Sequence, residues 1–312
     1  MINKPFSIIR KTVNVMTKKQ IFYDIAFLGH FTKDTIVSST GTRIVDGGAF
    51  NYGSHVAAKM GLKVAAITRL AKEDHRVIDQ LKKLGVEVFA HISPKSTCLR
   101  LEYPTNDVDE RSIFVESTAG NFTPEEVSNI QARAFVIGAS MRGEVPFSVI
   151  KELSNKNTVI SADVQSFIRV NDLGKLIPRE WPERNEIFSR LEILKTDAVE
   201  AGILFGKCDL RTAAKKMHDL GPKEIIITHR DGLLVYVDGK FYEEKFNPIE
   251  IIGRSGRGDT CIASYTAKRL SSPPKEATTW AAAVTSLKME AEGPFQRTIE
   301  DVNRLIQAKY LS

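Results

Sequence analysis

The residues best suited to chemistry stand late in the chain, in Gly253-Arg254-Ser255-Gly256-Arg257-Gly258-Asp259-Thr260-Cys261, followed by a helical pattern to about Leu270. Glycines let a backbone turn tightly and approach a ligand closely. A helix opening on such a turn aims free N–H groups and a partial positive charge at the opening. That is an anion site suited to phosphate. Asp259 at the helix start then has two readings, a cap or a general base beside a phosphate cradle. Two better-known phosphate devices are absent: there is no G-x-x-x-x-G-K-[ST], and no strand is followed by G-x-G-x-x-G. No C-x-x-C or H-E-x-x-H occurs and the histidines are scattered, so a protein-built zinc site is not expected.

Other polar groups collect where strands end. Asp34 follows the run Ile25–Leu28 and its Gly-His-Phe-Thr-Lys loop. Asp163, Gln165 and Arg169 follow Thr158–Ala162; Lys195, Thr196, Asp197 and Glu200 follow Glu192–Leu194; Thr228, His229, Arg230, Asp231 and Gly232 follow Glu224–Ile227. Each cluster alone reads as an ordinary loop. Together they point to one ligand edge, because open parallel sheets bind ligands beyond the carboxyl ends of their strands.

The elements that must position these groups are legible from periodicity. The runs above, with Val64–Ile67 and Ala134–Ile137, are apolar on both faces, as buried parallel strands are. Helical stripes alternate with them: Asp74–Leu84, stopped by Gly85, and Thr298–Lys309. The alternation predicts an α/β layered fold with a mostly parallel sheet. Thr97–Glu102 and Arg111–Glu116 read as a hairpin about the polar turn Tyr103–Glu110, and Ile36–Ser38 with Thr42–Val45 as a second pair. They are either surface hairpins or a small sheet covering the site. Cys98 and Arg100 alternate with Thr97 and Leu99, and only one set can face a substrate.

Composition bounds the rest. The chain has 312 residues, with 42% hydrophobic and 26% charged, which excludes a disordered, collagen-like or membrane-embedded protein. No apolar run approaches the ~18 residues of a membrane span. Of the formal net charge of +6, residues 1–20 carry +5 and no acid, leaving a nearly neutral body not built for nucleic acid. Those residues read as a basic, disordered extension, a leader or a docking arm. Cys98, Cys208 and Cys261 are far apart and make no disulfide framework, so a reducing, cytoplasmic setting is expected.

Gly256-Arg-Gly258-Asp259 before a helix resembles the C-terminal signature of the ribokinase-like (PfkB) carbohydrate kinases, and Gly47-Gly48 with the following helix and Gly61 resembles their N-terminal glycine signature. The resemblance extends over residues 21–309. Phe27–Asp34, Ser161–Arg169, Gly253–Cys261 and Ala281–Lys288 look most like the branch that includes prokaryotic myo-inositol kinases. It implies a ribokinase-like three-layer sandwich over 21–312, with a small β-sheet lid drawn from strands within about 36–46 and 97–116 that also serves a homodimer.

The resemblance further implies an ATP-dependent kinase acting with magnesium on a hydroxyl of a sugar or cyclic polyol. Asp259 would be the base, and the backbone of Gly256, Arg257 and Gly258 would hold the transferring phosphoryl group. Asp34, Gly47, Gly48, Asn51 and Tyr52 would grip the acceptor, joined by Asp163, Gln165 and Arg169; of these, Asp34, Gln165 and Arg169 suggest a hydroxyl-rich ligand. Thr228, Gly232 and Asp197 would lie near the nucleotide, and Asp197 and Glu200 would meet magnesium through water or phosphate. The chain departs from the family pattern at several points. Gly253-Arg254 stands where the signature begins Asp-Thr, Arg257 where Ala is usual, Tyr52 at the sugar-binding Asn with Asn51 one residue early, and Asp197 at the Asn of the magnesium motif. Arg257, turned inward, would add charge beside the phosphates. The alternatives are a nucleoside or vitamin kinase of the same fold, and a non-catalytic regulatory protein on that scaffold.

Overall fold

A computed structural model describes residues 21–39, 41–105 and 111–311; the expected N-terminal extension 1–20 lies outside the described residues. In chain order the strands are β1 Phe22–Leu28, β2 Thr32–Ser38, β3 Gly41–Gly47, β4 Val64–Leu70, β5 Glu87–Ile92, β6 Thr97–Glu102, β7 Ser112–Ser117 and β8 Gln131–Ile137. Then come β9 Val159–Asp163, β10 Arg169–Asp172, β11 Lys175–Pro178, β12 Ile193–Asp197, β13 Glu224–Thr228, β14 Gly232–Val237 and β15 Lys240–Lys245.

Nine of these build one sheet in the order β15-β14-β13-β12-β9-β8-β1-β4-β5. It is parallel from β13 to β5. The β14–β15 hairpin closes one edge in antiparallel fashion. Alternate residues of β1 serve the two faces: Ala26 and Leu28 join one core, Ile25 and Phe27 the other. Such two-faced burial is what the doubly apolar runs require.

Helices cover both faces, so the main body has three layers. Helices Phe147–Ser154, Ala198–Phe205 and Leu210–His218 pack on one side; Ala49–Lys59, Arg76–Lys83, Arg257–Arg269 and Pro274–Met289 lie on the other. Arg257–Arg269 is buried on nearly every side, from Thr260 to Ala267. It lies between the sheet and Pro274–Met289, whose Ala281, Ala282 and Ala283 permit close approach.

A smaller six-stranded sheet, β10-β11-β7-β6-β2-β3, stands beside the main one. The two expected strand pairs are joined by β2 and β6 running parallel, with Asp34 opposite Leu99. The hairpin β10–β11, absent from the sequence reading, completes the sheet through Lys175 opposite Phe114. Its turn uses left-handed backbone at Leu173 and Gly174 (φ 49° and 93°), a local device that hydrophobic periodicity does not register. β5, β14 and β15 were likewise not foreseen. β5 is half-exposed at a sheet edge, and β14 follows a polar turn that hid the onset of a strand.

Candidate active site

The carboxyl ends of β1, β8, β9, β12 and β13 converge on the first turn of helix Arg257–Arg269. A cavity of about 490 Å³ opens there, roofed in part by the small sheet. Gly256 precedes the helix with left-handed backbone, φ 75°, and a Cβ there would overlap the Tyr52 ring. Only glycine makes this turn. A Cβ on Gly258 would come within 2.6 Å of Lys195 Nζ, so that glycine is set by close approach. The Gly258 and Asp259 amides have no hydrogen-bond partner among the described residues and open toward the cavity those residues line. That is the anion-binding geometry of a helix start.

Asp259 is the third residue of the helix, Gly256 holds the cap position, and no side-chain cap bond forms. The capping reading of Asp259 therefore has no hydrogen bond behind it. Its carboxylate borders the cavity with its Oδ1 near Gly138. Burial pushes its carboxyl up, against the opposing charges of Lys195, Arg169, Lys288 and Arg111.

Asp34, on β2, faces the same cavity with Gly48 and Tyr52. It is 7% exposed, and its Oδ1 is buried without a hydrogen-bond partner. Burial pushes its carboxyl up to about 7, with the Asp259 charge adding to the rise. Gly47 packs against Thr32 and Asp34 beneath the cavity wall. Asn51 is buried in the helix behind Tyr52 and is not among the lining residues; its Oδ1 also lacks a partner. The register that places Asp34 beside Leu99 turns Leu99 and Leu101 inward, where with Ile113, Met141 and Leu176 they form an apolar wall. Of the two alternating sets on β6, the Thr97–Leu99 set is the inner one.

The remaining candidates divide. Gln165 and Arg169 line the cavity; Arg169 Nη2 donates to Glu200 Oε1 at 3.0 Å, and Gln165 Nε2 to the Ala139 carbonyl at 3.3 Å. Asp163 does not line it. This last residue of β9 forms a buried ion pair with Lys195 Nζ at 2.8 Å, directly behind Gly258. Burial opposes the charge of Lys195, but Asp163, Glu200 and Asp197 hold its ammonium above the usual lysine range. Asp197 caps helix Ala198–Phe205 in a capping box with Glu200. Glu200 is engaged by Arg169, Thr196 and the Asp197 amide, so Asp197 is the better placed of the two to meet a cation through water. Among the described residues no cluster of three or more His, Cys, Asp or Glu could hold a metal. Arg257 and Thr228 line the cavity; Gly232 does not, lying against the backbone of Glu244.

Several site residues went unassigned in the sequence. Lys195 was visible at a strand end, but its partner is thirty-two positions away. Arg111, beside the polar turn of the small sheet, also lines the cavity. Glu144 binds two flanking loops at once, accepting from the amides of His30 and Ser140 at 2.9 Å each. Burial pushes its carboxyl up to about 7 and the His30 imidazole down to about 3, so His30 is neutral. No helix among the described residues is long and apolar enough to cross a membrane.

Residues 28–299 match the family described as pfkB family carbohydrate kinase. A pyrophosphate-dependent kinase in the ribokinase family, solved with a pyrophosphate analogue and myo-inositol, is 35% identical, with a TM-score of 0.83 over 90% of this chain and 99% of that chain. The cytidine kinase of Thermococcus kodakarensis is 26% identical over 257 residues, 78% of this chain and 87% of that protein. The ribokinase of Arabidopsis thaliana, solved with ribose and ATP, shares the fold at 18% identity, with a TM-score of 0.73 over 92% of this chain and 99% of that chain. With the glycine turn, the carboxylate and the flanking strand ends in one cavity, the chain belongs to the pfkB family of carbohydrate kinases and is a phosphotransferase with a hydroxyl group as acceptor.

Proposed function

We propose that the protein transfers a phosphoryl group from pyrophosphate to a ring hydroxyl of a cyclic polyol of the myo-inositol type, with Asp259 as general base. The observation that carries this reading is the shared cavity. Unpartnered amides at the helix start, the Asp259 carboxylate and the unsatisfied Asp34 oxygen all serve the same space.

The acceptor lies between Asp34, which takes hydroxyl hydrogen bonds, and the Leu99–Leu101–Ile113–Leu176 wall, which takes the C–H face of the ring. Asp259 accepts the proton of the attacking hydroxyl, whose oxygen forms the new P–O bond. The bridging P–O bond of the donor breaks, and its electron pair leaves on phosphate. The raised proton affinity of Asp259 suits this step. Fixed N–H groups of Gly258 and Asp259 and the helix dipole meet the charge that spreads over the transferring group. Magnesium, carried on the donor oxygens and reached through water by Asp197, would neutralise donor charge. The small sheet acts as a lid that excludes water.

Pyrophosphate is preferred to the ATP expected from the sequence. The relative at 35% identity uses it. The donor side is lined by Lys195, Arg254, Arg257 and Thr228, with Asp197, Gly256 and Gly258 of the expected nucleotide contacts, whereas Gly232 faces away. The lining aromatics, Tyr52 and Tyr103, do not come from the segments around Thr228, so no ring there would stack on adenine. A nucleoside acceptor is the second reading. The apolar wall could take a base, and the cytidine kinase is a relative.

The test is a matrix of two donors, pyrophosphate and ATP, against myo-inositol, ribose and cytidine, followed by phosphorus NMR for a new phosphomonoester. Turnover with pyrophosphate and myo-inositol is expected. Turnover confined to cytidine would replace the acceptor reading, and turnover confined to ATP the donor reading.

A further inference from the structure

We infer that Lys288 is a positioning residue for phosphoryl transfer: its ammonium is a built-in cation that fixes the peptide planes of the 253–256 turn, so that the turn presents N–H groups to the phosphoryl group. The inference rests on the proposed phosphoryl site at the start of helix Arg257–Arg269, to which this turn adds donors.

Lys288 lies in the last turn of the buried helix Pro274–Met289 and is 1% exposed. A buried ammonium is costly unless hydrogen-bonded. Lys288 Nζ donates to the Gly253 carbonyl at 2.9 Å and to the Ser255 carbonyl. The neighbouring Met289 carbonyl accepts from the Ile252 and Gly253 amides at 2.9 and 3.0 Å. The Tyr52 ring, which fills the space beneath Gly256, lies 5.4 Å from the same ammonium. The end of this helix therefore holds the turn from below through four hydrogen bonds, and Tyr52 of helix Ala49–Lys59 adds an aromatic face.

The consequence follows from peptide geometry. In a trans peptide the C=O and the next N–H point in opposite directions. With the carbonyls of Gly253 and Ser255 held down on Lys288, the N–H groups of Arg254 and Gly256 are directed away from it. Arg254, Ser255 and Gly256 line the cavity on that other side. Without the ammonium, either peptide can flip and present a carbonyl oxygen to an anion. A lysine also suits a helix C-terminus, where a cation meets the negative end of the dipole.

The experiment compares Lys288→Met and Lys288→Ala with wild type, using the donor and acceptor on which the wild type turns over best. Melting temperature and calorimetric binding of pyrophosphate are measured alongside. Lys288→Met is expected to lose ~10²-fold in kcat, the scale of a lost oxyanion donor, with the acceptor KM changed little. Lys288→Ala should regain at least tenfold in kcat on addition of methylammonium, which a merely structural role would not give. Turnover within twofold of wild type in Lys288→Met, or no amine rescue in a folded Lys288→Ala, overturns the inference. If both variants unfold, the wild-type pH profile decides. Burial, against the charges of Glu292 and Asp259, pulls Lys288 down to about 8. The neighbouring Tyr52 hydroxyl is pushed up by burial and stays neutral. Turnover should then decline above pH 8 while the fold persists, and a flat profile to pH 10 refutes the role. If the wild type transfers phosphate to no acceptor, the proposed function fails, and tenfold weaker pyrophosphate binding by Lys288→Met still tests the lysine.

Discussion

Replacing Asp259 with Asn separates a base from a structural carboxylate, because the two roles predict opposite accompaniments. Removing a general base costs ~10²–10⁴-fold in turnover, which is about 3–5 kcal/mol of transition-state stabilisation. The stability effect has the other sign. Burial pushes the Asp259 carboxyl up despite the surrounding cations. An acid whose folded value lies above its unfolded value, ~3.9 for Asp, loses stability as pH rises through that interval. Ionising the carboxylate therefore costs stability, and Asn removes that cost. Lys195 keeps Asp163 at 2.8 Å and Arg169 keeps Glu200 at 3.0 Å, while Lys288 loses one of the two acids facing it but keeps Glu292 and its carbonyl partners. The amides at the helix start are untouched, so donor affinity should hold or improve. Steady-state kinetics, thermal melting and calorimetric donor binding on the one variant check all three. Near-normal turnover would mean that another group takes the proton. Lost turnover together with a fall of several degrees in melting temperature would mean that Asp259 supports the fold.

Gly258→Ala should push Lys195 off Asp163, since the new Cβ lands 2.6 Å from its Nζ. Breaking a buried pair costs roughly 3 kcal/mol or more, so a lower denaturation midpoint and lost turnover are expected, and an unchanged midpoint would show that the pair can shift intact. The acceptor KM should rise as pH falls below about 7, where Asp34 becomes neutral. Over the same window the ligand-free wild type should gain more melting temperature, or lose less, than Asp34→Asn as pH is lowered, because the folded Asp34 carboxyl, near 7, binds protons more tightly than the unfolded one while buried His30 opposes the trend equally in both; a pH-independent KM would remove Asp34 from acceptor binding. Leu101→Ala withdraws apolar contact worth up to ~2 kcal/mol, so kcat/KM for myo-inositol should fall about tenfold with kcat less affected, and an unaltered KM would show that the ring does not rest on that wall.

What the sequence disclosed and what it hid follow from range. The turn at Gly253–Asp259 is local: glycines, an acid and a buried helix stand within one short segment, so the glycine turn, the helix start and the acid beside it could be read directly. The ends of β1, β9, β12 and β13 were likewise marked by apolar runs giving way to polar residues. The partners were not marked, because each is set by pairing across long separations. Asp163 reads as an acceptor ligand until Lys195 is brought against it from the neighbouring strand. Asn51 and Gly232 lie in the expected segments, but helix rotation and hairpin packing turn them from the cavity. Alternation along β6 left two faces open, and only the parallel register with β2 chose Leu99 and Leu101 over Cys98 and Arg100. Glu144, reaching the amide of His30 across more than a hundred residues, left no sequence signal at all.

The charges around the cavity are sorted in a way that bears on the order of events. Asp163–Lys195 and Glu200–Arg169 neutralise each other behind and beside the donor space. Asp259 and Asp34 are instead held where burial raises their proton affinity, and the Asp259 charge adds to the rise at Asp34. A polyphosphate entering beside Asp259 adds negative charge, and nearby like charge raises a carboxyl further. Donor binding therefore strengthens the base at the moment a proton becomes available from the acceptor. The same repulsion disfavours two ionised carboxylates facing an empty cavity, and a bound hydroxyl that donates to the unsatisfied Asp34 oxygen relieves it. If Asp259 is the base proposed above, acceptor and donor would act on it in opposite senses, and transfer of one proton from the hydroxyl to that carboxylate would reconcile them.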